Sequence, residues 1–389
     1  MKGKLTKIIL YSILGLTVLC IGIIGYLALS NWNLPTHSQE VDRLSDLEKA
    51  RLAEAIHLRQ TLGDQVWPGW GDADIPFIIY NEGYAFLVGY PNPPDGWVKV
   101  PQNEARGGPW EAVPGDTFNG QVYYRQELLD PKITPENFTV LVGDHWSATL
   151  GTKEYSLVSF VSGFRTQLPP VIRSIFPYRW MWWQLVGETE NYLGALEHEA
   201  FHAYQGTTVP QRLAGSEKTM VVDELYPWDD EALEDAWQVE LDYLLAAVKA
   251  DTDEAAAESV RSFLVSREMR RANGLTPAMV EFERQREWLE GLAKYVEVEI
   301  GLAAQGAADY APVDAIQSDP DFNGYQTRHR YRQGQVGEVN RLSGRGGDTR
   351  FYYSGMAQAM LLDRLMPGWK EQAFEPEVML EDLLRQAVE

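Results

Sequence analysis

The chain has 389 residues, 45% hydrophobic and 12% aromatic, enough to bury a full core, which excludes an intrinsically disordered chain. Its formal charge is −22, and because Lys2, Lys4 and Lys7 supply +3, the residues beyond them carry −25. So acidic a chain excludes nucleic acid as a partner, since that needs a basic footprint.

Residues 1–7 form a basic segment expected to stay in the cytoplasm. Ile8 to Ser30 then runs 23 residues without a charge. As a helix this stretch is about 35 Å long, against a hydrocarbon core of about 30 Å. Secretory apolar segments are shorter, about 7–15 residues. The expectation for 8–30 is a retained transmembrane signal anchor: one pass through the cell membrane, with the bulk of the chain extracytoplasmic. Cleavage after Ala28-Leu29-Ser30 is the alternative, and it would give a secreted form. The single cysteine, Cys20, lies inside this run behind Thr17-Val18-Leu19, which is unlike a lipidation signal. The remaining chain can therefore build neither a disulfide framework nor a thiolate metal site, so any metal there is held by histidine and carboxylate.

Residues 31–66 read as a polar linker, Asn31 to Glu40, and an amphipathic helix, Val41 to Leu62. In that helix Leu44, Leu47, Leu52, Ile56 and Leu62 share a face and charges fill the other. Residues 67–165 read as a β-rich subdomain. Phe77–Tyr80 and Tyr84–Val88 flank Asn81-Glu82-Gly83 as a hairpin, and Gln121–Arg125, Phe138–Val142 and Tyr155–Val161 are further strands. Residues 166–389 read as a helical subdomain, with long helical patterns at Asp230–Ala250, Glu254–Arg271 and Pro277–Leu302. An irregular stretch follows, Ala303–Thr349, then a helix over Tyr353–Leu365 and a short one from Glu377. The aromatic run Phe176–Trp183 suits core packing better than a ligand wall or a membrane-facing lip. Arg328, Arg330, Arg332, Arg341, Arg345 and Arg350 make one locally basic stretch, read as pairing with the acidic surface.

Chemistry concentrates in Leu196-Glu197-His198-Glu199-Ala200-Phe201-His202. In His-Glu-x-x-His, positions i and i+4 share a helix face, so both imidazoles reach one ion. Zn²⁺ lowers the pKa of a bound water to about 7, and Glu199, one residue on from the first ligand, is placed to take its proton. Thr189 reads as the cap of this helix and Gly206 as its stop. A zinc site needs a third protein ligand and an open position. The strongest candidate lies in Trp288-Leu289-Glu290-Gly291-Leu292-Ala293-Lys294-Tyr295-Val296-Glu297, with Glu240 and Glu287 as fallbacks. Gly291 would weaken a helix that needed only a solvated face, which favours Glu290.

This stretch resembles the third-ligand helix of gluzincin metallopeptidases, above all the aminopeptidase N family, where a Trp precedes a Glu-Gly pair and a second Glu follows seven residues after the first. Trp67-Pro68-Gly69 and Leu361-Leu362-Asp363 also look like an uncharacterised group of bacterial gluzincin-like proteins. The resemblance implies that Glu290 is the third zinc ligand and that Glu297 fixes a ligand imidazole from behind. Gluzincins often draw an oxyanion donor from a C-terminal element. Phe351-Tyr352-Tyr353-Ser354-Gly355 offers Tyr352, with Tyr353 or His329 as alternatives. The resulting expectation is an α+β, zincin-like fold: a mixed-sheet subdomain followed by a mainly helical one, with zinc in the cleft between. Its activity would be that of a membrane-anchored metallopeptidase acting on a peptide or protein substrate. The alternative is a non-catalytic, membrane-tethered zincin-fold binding or scaffolding module, for which a closed ligand shell would speak.

Overall fold

The computed structural model describes residues 2–101, 103–128, 139–341 and 347–389. It is a mixed α+β structure. Helix α1 (Lys2–Trp32) contains the stretch Ile9–Trp32, which is long and apolar enough to cross a membrane and whose large apolar side chains are exposed. Helix α2 (Asp46–Val66) begins where the Ser45 hydroxyl accepts from the Glu48 N–H.

Eight strands follow: β1 (Phe77–Tyr80), β2 (Tyr84–Val88), β3 (Trp97–Lys99), β4 (Glu104–Arg106), β5 (Glu111–Ala112), β6 (Tyr124–Glu127), β7 (Val140–Val142) and β8 (His145–Gly151). They form one sheet in the order β4-β3-β7-β8-β1-β2-β6-β5. The expected hairpin is β1–β2, antiparallel with Ile79 opposite Phe86, while β1 and β8 run parallel. Phe138, expected to open the strand seen as β7, lies outside the described residues. Both faces of β1 are buried: Phe77 and Ile79 join the main core, whereas Ile78 and Tyr80 join a second cluster with Trp97, Trp110, Val140 and Val142.

The expected strand at Tyr155–Val161 is instead part of helix α3 (Lys153–Gln167). Thr152 decides this, because its hydroxyl accepts from the Tyr155 N–H at 3.0 Å and starts a helix that buries Val158 and Val161. Then come α4 (Pro170–Ile175), α5 (Tyr178–Leu185), α6 (Thr189–Thr208), α7 (Pro210–Lys218), α8 (Glu231–Lys249), α9 (Asp253–Ala272) and α10 (Pro277–Arg286). Helix α10 runs through a π turn, Glu287–Gly291, into α11 (Leu292–Gly306), so the expected long helix is one rod with a π turn inside it. The expected irregular stretch contains α12 (Arg328–Glu338), and α13 (Thr349–Leu365), α14 (Trp369–Gln372) and α15 (Leu380–Val388) complete the order.

One hydrophobic core joins α2, the inner face of the sheet and helices α6 to α15. The charged side of α2, expected to face solvent, is buried under residues 310–325. Arg51 pairs with Asp319 at 2.7 Å, and Glu54 accepts from the Tyr310 and Tyr325 hydroxyls at 2.8 and 2.7 Å.

A buried ion network pins the rod to α8, α9 and α15. Arg267 binds Glu240 at 2.7 Å, Glu287 at 2.7 Å and Glu381 at 2.9 Å; Arg270 and Arg271 share Glu283, and Arg270 also holds Glu240. Burial alone would raise the Glu381 pKa, but Arg267 and Arg271 outweigh it and hold the carboxyl down to about 2. Unfolded glutamate titrates near about 4.3, so this carboxylate's stabilising effect is complete above that pH and is lost as pH falls towards 2. Denaturant unfolding should show a midpoint that drops as pH falls from about 4.3 towards 2, and Glu381→Gln should lower the midpoint at pH 6 and flatten that drop.

Candidate metal centre

The motif lies on α6. Glu188 occupies the cap position and Thr189, expected to cap, is the first helical residue. Its hydroxyl instead donates to Asp319 at 2.7 Å and accepts from Lys153 at 2.9 Å, tying the helix start to a neighbouring loop. Gly206 does not end the helix either. The Trp146 ring lies so close that a Cβ there would come within 2.4 Å of it, and the helix continues to Thr208. Leu193, Leu196, Ala200 and Phe201 bury one face, which turns His198 and His202 towards the π turn.

There the two imidazoles meet Glu290. The His198 and His202 Nε2 atoms lie 3.1 Å apart, and each is 3.2 Å from Glu290 Oε2. Donors on a tetrahedral zinc with bonds of about 2.0–2.1 Å are about 3.3 Å apart, so this triangle is near the size the ion needs. His198, His202 and Glu290 are buried and form the group, among the described residues, that can hold a metal ion.

The outer nitrogen of His202 is hydrogen-bonded and that of His198 lies at ion-pair distance from a carboxylate, the kind of support a ligand histidine would need. His202 Nδ1 lies 2.8 Å from Gln205 Oε1, and the Gln205 amide reaches the Trp288 and Leu289 carbonyls. His198 Nδ1 is 3.3 Å from Glu297 Oε2. Gly194 permits this approach of α6 to α11, because a Cβ there would stand 3.2 Å from Glu297 Cγ. Glu297 is itself held by Lys294 and by the Tyr331 hydroxyl at 2.7 Å. The second Glu290 oxygen accepts from Arg286 at 2.7 Å, and Arg286 also binds Asp348 at 2.7 Å.

The electrostatics follow from these contacts. Burial works against a charged His198, yet the Glu290 and Glu297 carboxylates outweigh it and lift its pKa to about 10. Burial likewise opposes ionised Glu290 and Glu297, but Arg286 and His202 hold the first well below the carboxylate range, and Lys294 and His198 hold the second at about 2. The two carboxylates thus favour positive charge at His198. Burial pushes Glu199 upwards while the two imidazoles pull it down. Glu197 lies on the opposite side in the core near Arg59, where burial raises it to about 8, and it takes no part in the triangle.

The centre opens into a cleft of about 270 Å³, lined by Glu199, Tyr352 and Arg286, by Val100 and Thr139 from the sheet side, and by Leu213 and Met220. The Tyr352 ring stacks over His198 at 5.7 Å, nearly parallel. Burial and the adjacent Glu290 carboxylate keep its phenol protonated, well above the usual tyrosine range. Tyr353 faces a neighbouring groove instead, with its hydroxyl at 3.2 Å from Gln335. His329 is exposed on α12 and does not line the cleft. Glu240 and Glu287, the fallback ligands, are in the arginine network, where Arg267 binds both. Arg328, Arg332 and Arg341 pair with Glu188, Glu299 and Glu338; Arg345 lies outside the described residues. A larger cavity of about 820 Å³ beside Arg212 and Phe374 contains no histidine and lies apart from this chemistry.

Sequence reasoning missed Gln205, Arg286 and Asp348. Two of these carried a local signal: Gln205 follows His202 by one helical turn, and Arg286 precedes Glu290 by one. Asp348 carried none, because it arrives from a distant helix start. Comparison of the chain with protein families, with curated proteins and with solved structures finds no match.

Two measurements test the centre. Glu290→Gln should abolish stoichiometric zinc retention after desalting, whereas Glu240→Gln, away from the triangle, should keep the metal and lose thermal stability. Gln205→Ala should weaken zinc affinity by about 10–100-fold, read by competition with a chromophoric chelator.

Proposed function

We propose that the protein is a zinc-dependent hydrolase of gluzincin type, acting on peptide bonds and anchored in the cell membrane by α1 with its catalytic part outside the cytoplasm. The observation that carries this reading is the convergence of two imidazole nitrogens and one carboxylate oxygen within 3.1–3.2 Å, in a cleft that also holds the Glu199 carboxylate. The donor set suits the ion: two histidines and one carboxylate, with no thiolate available, is a zinc-hydrolase combination. On this reading the sheet-then-helices arrangement, with the cleft between, is zincin-like.

His198, His202 and Glu290 would hold the metal. Bound zinc supplies Lewis acidity, polarising the carbonyl and lowering the pKa of a water to about 7. The chain's own groups do the rest. Glu199, with its raised pKa, accepts a proton as water adds to the carbonyl carbon. It returns that proton to the leaving nitrogen as the C–N bond breaks, so one carboxylate serves first as base and then as acid. Tyr352, held protonated over His198, donates to the oxygen on which negative charge develops. Arg286 and Asp348 lock the outer oxygen of Glu290, so the inner one stays aimed at the imidazoles. A separate groove of about 720 Å³, lined by Asn191, Ala195 and Tyr353, flanks Glu297 on the side of His198 away from the triangle.

The test uses zinc-loaded full-length protein and a diverse peptide library read by mass spectrometry. Wild type should cleave. Glu199→Gln should keep its zinc and lose about 10²–10⁴-fold in rate. Cleavage by neither protein, or equal cleavage by both, would remove the hydrolase reading. Tyr352→Phe should lower kcat about 10²–10³-fold with KM little changed.

A further inference from the structure

The segment around α4 and α5 stands apart in a chain with 56 acidic residues. From Tyr155 to Gly187 there is no Asp or Glu, and Arg165, Arg173 and Arg179 are present. Of its aromatic run, Tyr178 is fully packed and Phe176 and Trp182 are half-buried, in a small cluster apart from the main core. Trp180 is 61% exposed, Trp183 60% and Leu185 61%, with Ile172 at 46%. Burying large apolar side chains normally stabilises a fold, so a patch of this kind that the fold leaves bare points to a partner.

The place of the patch identifies that partner. The Asn31 amide, in the last turn of α1, donates to the carbonyls of Ser174 and Phe176 at 3.0 and 2.8 Å. Arg165 donates to the Asn31 carbonyl at 3.2 Å and Arg179 to the Asn33 carbonyl at 2.9 Å. Leu34, Val161 and Tyr178 pack beneath as a small core of their own. The exposed tryptophans are thus fastened to the end of the apolar helix, where Trp32 is also bare. That is the level at which a spanning α1 leaves the hydrocarbon. Tryptophan concentrates at this depth because its ring is apolar and its N–H is wet, and arginines there meet anionic headgroups.

We propose that α4 and α5 form a second membrane contact, a foot seated in the headgroup region of an anionic bilayer beside α1. It would fix how the domain stands on the membrane. It also fixes where the flanking groove opens, since Trp183 and Leu185 line that groove as well. This inference rests on the reading of α1 as a membrane span and is independent of the metal chemistry. An anionic bilayer fits the patch on each count: apolar, cationic and located at the exit of the anchor.

The full chain, one copy per nanodisc, carries a nitroxide label on a cysteine at position 180, 185 or 265 in a Cys20→Ser background, or on native Cys20. Relative collision with oxygen and with a water-soluble nickel chelate reports lipid or water. Discs are made of phosphatidylcholine alone or with phosphatidylglycerol. Cys20, Trp180→Cys and Leu185→Cys should favour oxygen severalfold over Val265→Cys, an exposed position on α9. At 180 and 185 the preference should rise with the anionic lipid. If 180 and 185 match 265 while Cys20 reports lipid, the foot is refuted and the anchor stands. If Cys20 reports water, the anchor fails and the foot with it. Shielding at 180 that appears only with two copies per disc marks a protein interface and also overturns the proposal.

Discussion

The geometry of the centre depends on one helix crossing without side chains. Gly291, at the end of the π turn, lies against Gly355 of α13 so closely that a Cβ on Gly291 would come within 2.4 Å of the Gly355 Cα; a Cβ on Gly355 would come within 2.4 Å of the Glu287 carbonyl. Any larger residue at either position forces the helices apart. The crossing brings Glu290, the residue before Gly291, and Tyr352, one turn before Gly355, to the same side, facing α6. The π turn adds a residue to the helical repeat at the point where Glu290 must face the histidines, a placement π turns often serve at functional sites.

Around that crossing the protein concentrates charge in an unusual way. An acidic chain would be expected to keep its carboxylates in water. Here several are buried and matched by arginines: Glu240, Glu283, Glu287 and Glu381 around Arg267, Arg270 and Arg271, and Glu290 with Arg286. Removing one member of such a pair strands its partner in low dielectric, so these contacts fix position more than they add net stability. Glu287 belongs to the arginine network, and Glu290, one turn on, belongs to the triangle with His198 and His202. The network therefore sets the position of Glu290 through the rod they share. Ser354 joins α13 to the same frame by donating to Glu287 at 2.6 Å.

The legible part of this protein is what short-range spacing encodes. His198 and His202 could be read as a pair because one turn of helix separates them. The hairpin of β1 and β2 was legible for the same reason. Glu290 and Glu297 came from the resemblance of residues 288–297 to a third-ligand helix rather than from spacing alone, and they meet the two sides of His198. What spacing cannot encode was missed. Gly291 suggested a ligand helix, but its physical cause is a backbone far along the chain. The solvated face assigned to α2 is covered by residues 310–325, and Tyr155–Val161 is apolar enough for a strand but is governed by the Thr152 cap. Gly206 read as a helix stop because nothing local reveals the Trp146 ring.

The proposed coordination of zinc by His198, His202 and Glu290 is tested most directly by X-ray absorption at the zinc edge of the loaded full-length protein. Two imidazole groups and oxygen donors at about 2.0–2.2 Å, in a four- or five-coordinate shell, are the expected result. An oxygen-only octahedral shell, or zinc that is lost on desalting, would contradict it.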